Sequence, residues 1–452
     1  MKILFYLIAG VILLFIAHEV FAAGKPSEPA VSVVKHPAWA ESAVIYELNT
    51  RQFTALGTFK AIIPRLPELK KLGVDIIWLM PVHPIGVKNR KGTLGSPYAV
   101  KDYYAVNPEF GSREDFKSLV QAVHREGMHV IIDMVANHTA WDNSLIKTHP
   151  EWYQKDASGK IIPPVPDWDD VAKLDYAQEG LREYMTGVLK YWVKEMGVDG
   201  FRCDVASMVP ADFWERARAE IDAIRPTFWL AEAESPGLLE KAFDCDYASE
   251  YYVLFNSIAA GKAKACEIPS LMETDSMRYP AGSWRMHFTS NHDQNSWRDT
   301  AVTRLGEKGA EAFAMLTYAL PGRPLIYNGQ ETGSTHKLEF FEKDSITWRE
   351  SAFREMYGRL SEAYRKHPAL YRGDCRVLDT SRTPEVLALV RNDSATSENV
   401  LALANLSPEA RTVSLDLPGN PEAIYRGVTP SKEKGLCSFR LGPWEHGLYL
   451  LQ

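Results

Sequence analysis

A chain of 452 residues is too long for one ordinary core and reads as one large domain with appendages. With 46% hydrophobic and 24% charged residues it has an ordinary globular make-up, which argues against disorder. A net charge of −7 and a pI near 6.0 argue against a nucleic-acid partner, which calls for a basic footprint.

In chain order, Lys2 precedes an apolar run over residues 3–17, closed by His18 and Glu19. Val20-Phe21-Ala22-Ala23 then offers small residues for cleavage after Ala22. The run falls short of the roughly 18 residues of a membrane-spanning helix. Residues 1–22 therefore read as a secretory signal peptide, with an uncleaved anchor as the alternative, and the chain as exported, periplasmic or secreted. Residues 23–42 are a polar lead-in, and no later stretch is long and apolar enough to span a membrane. The five cysteines, Cys203, Cys245, Cys266, Cys375 and Cys437, show no C-x-x-C spacing, so zinc and redox motifs are unsupported; one or two disulfides of unspecified pairing remain open.

From residue 43 the chain alternates strand and helix patterns. Residues 44–48, 75–80, 129–135, 200–204, 228–232, 243–247, 285–290 and 324–327 are strand candidates. Residues 59–72, 112–125 and 179–196 read as helices, the second opened by a Ser112-x-x-Asp115 capping box. Eight strands alternating with helices over residues 43–368 predict a (β/α)8 TIM barrel rather than an open sheet. Residues 139–175 break the rhythm, an excursion rich in Pro, Trp and Asp, and unstructured stretches of that length usually carry function. Residues 369–452 change texture to short β-type runs with Pro, Asn, Asp and Gly turns, predicting an antiparallel β-sandwich domain.

Several strand candidates end in polar clusters, where barrel chemistry sits. Gly200-Phe201-Arg202-Cys203-Asp204 brings an arginine and a carboxylate to one side of a strand, with Cys203 alternating to the packing side. Glu232 follows the apolar run Phe228-Trp229-Leu230-Ala231, and Asp293 ends the seventh candidate. Retaining glycoside cleavage needs two carboxyl groups roughly 5–5.5 Å apart, one an anion and one an acid. Arg202 is expected to depress the Asp204 pKa, and the apolar run to raise that of Glu232. Glu234 has the same facing and is the rival to Glu232. Any one of these carboxylates alone also fits a helix cap.

These segments resemble the signature regions of the α-amylase superfamily, glycoside hydrolase family 13. Asp133-Met134-Val135-Ala136-Asn137-His138, Gly200 to Asp204, Leu230-Ala231-Glu232 and Asn291-His292-Asp293 match four regions in order, with Ala231 where glycine is more usual. The resemblance implies a retaining α-glucan hydrolase that cleaves α-1,4 bonds in starch or maltodextrins through a glycosyl-aspartate. Asp204 would be the nucleophile, Glu232 the acid/base and Asp293 the transition-state stabiliser. It implies Tyr98, His138, Arg202 and His292 around the sugar. The Pro97-Tyr98 order departs from the usual Gly-Tyr and leaves Tyr98 open to a plain loop-packing role. Trp141 and Trp297 are candidate stacking platforms, as are Trp152 and Trp168, each equally able to fold the excursion or loop. No cofactor is required by this reading. Some relatives bind calcium through an asparagine matching Asn137, and Asp142, Asp167, Asp169 and Asp170 are further oxygen donors; a solvated acidic run is the plainer reading. A transglycosylase or branching-type enzyme on the same site is the alternative, and a non-catalytic carbohydrate-binding relative a remoter one.

Overall fold

The computed structural model describes residues 30–380, 382–433 and 435–452. The expected signal peptide lies outside the described residues. Eight parallel strands close into a barrel: β1 (Ile45–Leu48), β2 (Ile76–Leu79), β3 (His129–Met134), β6 (Gly200–Cys203), β7 (Phe228–Ala231), β8 (Cys245–Tyr247), β9 (Trp284–His287) and β10 (Arg323–Tyr327), with β10 pairing back to β1. β4 (His138–Ala140) and β5 (Val171–Lys173) form an antiparallel hairpin outside it.

Alternation along these strands sorts two sets of side chains. Val44, Ile77, Val130, Phe201, Cys203, Trp229 and Ile326 face out to the helices. Ile45, Ile76, Trp78, Ile131, Phe228, Leu230, Met286 and Leu325 pack inside the barrel. Because the side-chain period is two, Glu47, Asp133, Arg202, Asp204, Glu232 and Tyr247 share the inward parity, one or two layers above that apolar floor. The barrel is thus plugged at its N-terminal end and polar at its C-terminal end.

The helix over 59–72 is broken into Phe59–Ile62, a 3-10 turn Ile63–Arg65 and Leu66–Leu72, because Pro64 and Pro67 interrupt the ladder. The capping box forms as expected, and its helix spans Arg113–Arg125.

The excursion is less irregular than its sequence suggests. The β4–β5 hairpin pairs His138 with Lys173 and Ala140 with Val171, so its two ends are zipped beside the site.

The C-terminal domain is a sandwich of a five-stranded and a three-stranded antiparallel sheet around Val386, Leu401, Leu403, Phe439 and Tyr449. Three of its strands, Pro421–Arg426, Ser431–Glu433 and Leu436–Leu441, were not visible as β-type runs. Buried Arg391 ties it to the barrel by donating to the carbonyls of Ala319 and Gly373, at 2.8 and 2.6 Å. Ala319 ends helix Glu307–Ala319, so the guanidinium meets the negative end of that helix. All five cysteines are free thiols. Among the described residues no helix is long and apolar enough to cross a membrane.

Candidate active site

Arg202 is the hub of the polar layer. It is fully buried, and Nη1 lies 2.5 Å from Asp133 Oδ1 and 3.1 Å from Asp204 Oδ1. Nη2 lies 2.9 Å from Glu232 Oε2, and Nε donates to Tyr247 Oη at 3.2 Å. Asp133 is buried as well, and its other oxygen accepts from the Trp78 indole at 2.9 Å. One guanidinium thus holds the ends of β3, β6, β7 and β8 together. A buried cation of this kind persists only where anions surround it.

Asp204 and Glu232 both sit against Arg202, Asp204 at 3.1 Å and Glu232 at 2.9 Å. Val205, the next residue along, carries φ +37°, a left-handed conformation that a β-branched side chain rarely adopts. That turn aims its N–H at Glu232 Oε2, 2.7 Å away. Backbone strain of this sort, of about 1–3 kcal/mol, persists where the surroundings hold it.

Across the mouth, His292 Nδ1 meets Glu47 Oε1 at 2.5 Å, and Nε2 meets Tyr98 Oη at 2.9 Å and Asp293 Oδ2 at 3.4 Å. Burial pulls the imidazole pKa down, but Asp293 and Glu47 outweigh it and lift it to about 9. His138 has no such partner, and burial pushes it down to about 4, so it is neutral; its Nε2 stands 4.0 Å from Asp204. The Tyr98 ring stacks on His292 at 5.4 Å.

This is the arrangement of a sugar-cleaving barrel, and the similarities agree. A family profile described as "Alpha amylase, catalytic domain" matches residues 21–162 and 165–235. The crystal structure of a maltogenic α-amylase, AmyB, from Thermotoga neapolitana superposes with TM-score 0.83 at 32% identity, over 91% of this chain and 99% of that one. An α-amylase from Lactobacillus plantarum gives TM-score 0.81 at 30% identity, over 92% of this chain and all of that one. The chain belongs to the α-amylase superfamily. Among curated relatives, the α-amylase MalA of Haloarcula japonica is 28% identical over 74% of this chain, which spans half of its length. An α-1,4-glucan:maltose-1-phosphate maltosyltransferase of Cereibacter sphaeroides is 27% identical over 80% of this chain and 58% of its own.

Against the expectations for an amylase-family barrel, the structure gathers Asp204, Glu232, Asp293, Arg202, His138, His292 and Tyr98 at one barrel end. Glu234 falls elsewhere, with Ser249, Glu250 and Arg285, where burial and the Glu250 charge push its pKa to about 7. The expected electrostatic split is reversed. Burial and the Glu232 charge push Asp204 well above the usual carboxylate range, against the pull of Arg202. Burial also raises Glu232, but the Arg202 charge and the Val205 N–H outweigh it and hold Glu232 low. The reason is geometric. Arg202 reaches both carboxylates, while Asp204 is the more enclosed, its side chain 9% exposed against 24% for Glu232.

Trp297 is 46% exposed and joins an aromatic rim with Phe340 and Phe341, and Phe340 in turn lies parallel to Tyr98. Trp141 donates its indole N–H to Asp169 O at 2.8 Å, which holds the excursion together. Trp152 stacks on His149, and Trp168 meets the edge of His138. Asp133 opens the first signature string but was given no role, and Glu47, Trp78, Tyr247 and Phe340 were not singled out from sequence. Only the inward parity of Glu47, Trp78 and Tyr247, read strand by strand, could have marked those three.

The oxygen donors named for calcium are engaged by protein groups. Asp142 accepts from the Val87 N–H and pairs with Lys101 at 3.3 Å. Asp169 and Asp170 each lie 3.4 Å from Lys91, whose ammonium also donates to Asp167 O. Asn137 turns its amide toward His138. Among the described residues no group of three or more His, Cys, Asp or Glu side chains is placed to hold a metal. The same loop that bears Lys91 is laced on its other flank, where Leu94 N–H donates to Phe341 O at 3.0 Å and Thr93 N–H to Glu342 at 2.8 Å.

Proposed function

We propose that the chain is a retaining α-glucan hydrolase acting on α-1,4-linked maltodextrins, with Asp204 as nucleophile, Glu232 as acid/base and Asp293 stabilising positive charge at the anomeric carbon. The observation that carries this is the placement of Asp204 and Glu232 on one arginine, at 3.1 and 2.9 Å, from neighbouring strands. Inverting enzymes keep their carboxyls roughly 6.5–9.5 Å apart to admit a water, and a pair held on adjacent strands by one guanidinium suits the shorter separation of retaining ones.

In the free pocket burial and the Glu232 charge raise Asp204, while the Arg202 charge and the Val205 N–H hold Glu232 low. The reaction needs Asp204 as the anion and Glu232 as the acid, an order that a sugar bound between them would have to set. Asp204 then forms a C1–O bond as the glycosidic C–O bond breaks, and Glu232 gives its proton to the departing oxygen. In the second half Glu232 takes a proton from water, whose oxygen attacks C1 and releases Asp204. His292 and Tyr98 donate to the ring hydroxyls, and Arg202 keeps Asp204 aimed.

Maltoheptaose incubation, with products separated by chromatography and their anomeric form followed by NMR, tests the reading. Shorter α-anomeric products are expected; longer or branched ones indicate transfer to a sugar hydroxyl instead. Asp204→Asn is expected to lower turnover by at least about 10³-fold while glucan binding survives, and unchanged turnover removes Asp204 from the role. The reading includes export on the segment at 3–17, so the N-terminus of secreted protein is expected at Ala23.

A further inference from the structure

Outside the barrel wall, where β8 and β9 meet the helices Ser249–Ala259 and Glu267–Arg278, carboxylates surround one guanidinium. Arg285 precedes Met286, which packs inside the barrel, so alternation turns Arg285 outward. Its side chain is 7% exposed. Nε lies 2.6 Å from Asp246 Oδ1, Nη1 2.9 Å from Asp275 Oδ2 and Nη2 3.2 Å from Glu250 Oε2. The Tyr279 ring covers the flat face, its centroid 3.7 Å from the guanidinium carbon. Glu234, two residues past Glu232, belongs to the same group, where burial and the Glu250 charge push its pKa to about 7.

We propose that Arg285 is a positioning residue for Glu232, acting from outside the barrel through Tyr247. The inference rests on the catalytic reading and adds to it a residue that touches no substrate.

Three observations point there. First, Arg285 Nη2 also donates to Tyr247 O at 2.7 Å. Tyr247 in turn donates its backbone N–H to Ala233 O at 3.2 Å, one residue past Glu232. Its hydroxyl accepts from Arg202 Nε at 3.2 Å, and Arg202 Nη2 lies 2.9 Å from Glu232 Oε2. Tyr247 thus reaches the acid/base by its backbone and, through Arg202, by its side chain. Arg285 fixes where Tyr247 stands.

Second, the end of β7 is unevenly supported. On the β6 side pairing runs from Phe228 to Ala231, and Glu232 itself is bonded there, its N–H to Cys203 O at 3.0 Å and its carbonyl to the Ala206 N–H at 3.1 Å. On the β8 side pairing covers only Leu230 with Cys245 and Ala231 with Asp246. The Tyr247–Ala233 bond extends that side past the strand end, and β8 has just three residues with which to hold it.

Third, the cluster serves direction better than stability. Replacing buried ion groups by apolar packing of similar volume is often neutral or stabilising, so the carboxylates are a poor source of folding energy. A planar fork with a partner at each nitrogen and a ring on its face has one orientation. Orientation matters here, since a misplacement of about 1 Å costs a catalytic group roughly 10²-fold.

The test uses α-maltosyl fluoride beside maltoheptaose. Fluoride leaves C1 without taking a proton, so forming the glycosyl-enzyme from it needs Asp204 but no acid. The departing oxygen of a maltodextrin needs the Glu232 proton. For the full chain, Arg285→Lys and Glu250→Gln, kcat/KM is measured on both substrates, with thermal melts to show folding. Arg285→Lys keeps the charge and loses the fork. It is expected to lower kcat/KM at least about tenfold on maltoheptaose and less than about threefold on the fluoride. Glu250→Gln weakens the hold on Nη2 alone, and a selective loss of about threefold on maltoheptaose is expected. In folded Arg285→Lys, equal losses on the two substrates, or no loss on either, overturn the proposal. Should that variant not fold, the same outcomes in Glu250→Gln do so. A wild-type chain inactive on both substrates overturns the catalytic reading and this proposal with it, so the two failures stay distinct.

Discussion

Glu47 ends β1 with no exposure to water, and burial pushes its carboxyl pKa up even as His292 draws it down. The imidazole gains more than the carboxylate from the pairing. Below about pH 9 both His292 nitrogens carry protons, so one donates to Glu47 while the other serves Tyr98, Asp293 and a sugar hydroxyl. The folded pKa stands above the ordinary 6.5. Its contribution to stability is therefore complete below pH 6.5 and lost as pH rises through about 9. Glu47→Gln removes one of the two anions that lift the ring. The alkaline limb of kcat/KM is expected to move down by about one pH unit, with the acidic limb unmoved; an unshifted alkaline limb disconnects Glu47 from catalysis. Asp204, Glu232 and Asp293 were legible because each closes a recognisable local string. Glu47 was not, since its partner lies 245 residues away and only ring closure of the barrel brings them together.

At the scale of elements, all eight barrel strands were legible, because buried parallel strands read as unbroken apolar runs. Their ends drifted by one to three residues, as with the candidate at 285–290, where pairing covers Trp284–His287. The β4–β5 hairpin was hidden, since three-residue strands separated by 30 residues leave no periodic trace. One glycine matters more than composition shows. Gly200 opens β6 at φ +156°, and a Cβ there falls 1.9 Å from Phe228 O, inside the β6–β7 pairing. Gly200→Ala is expected to cost more than about 3 kcal/mol. Gly237→Ala, with open space around it, is expected to be near neutral. Equal melting temperatures for the two refute the argument. The excursion makes a second prediction. Lys91 occupies the carboxylates a hard cation would use, and calcium needs roughly six to eight converging oxygens. Prolonged EDTA treatment is expected to leave activity and melting temperature unchanged. A loss restored by added calcium sinks this view.

Across the whole molecule, the barrel and sandwich are not independent attachments. Arg391 reaches from a sheet of the sandwich into the end of a barrel helix. The C-terminal sandwich, whose first strand is Asp374–Val377, was legible from the change in turn residues, but nothing in the sequence marks how it meets the barrel.

The loop carrying Lys91 and Thr93 is fastened to the excursion on one flank and to the segment of Phe341 and Glu342 on the other. It thereby bridges the excursion to the segment that follows β10. An acid donor stands beside the departing half of its substrate, so such a bridge would meet the retained half. A polymer is expected to enter tip first rather than lie across the barrel. Maltoheptaose labelled at its reducing end is expected to lose one or two glucoses at a time, the label staying on the long fragment. Early release of labelled pieces of every size shows that the bridge opens and mid-chain cutting prevails.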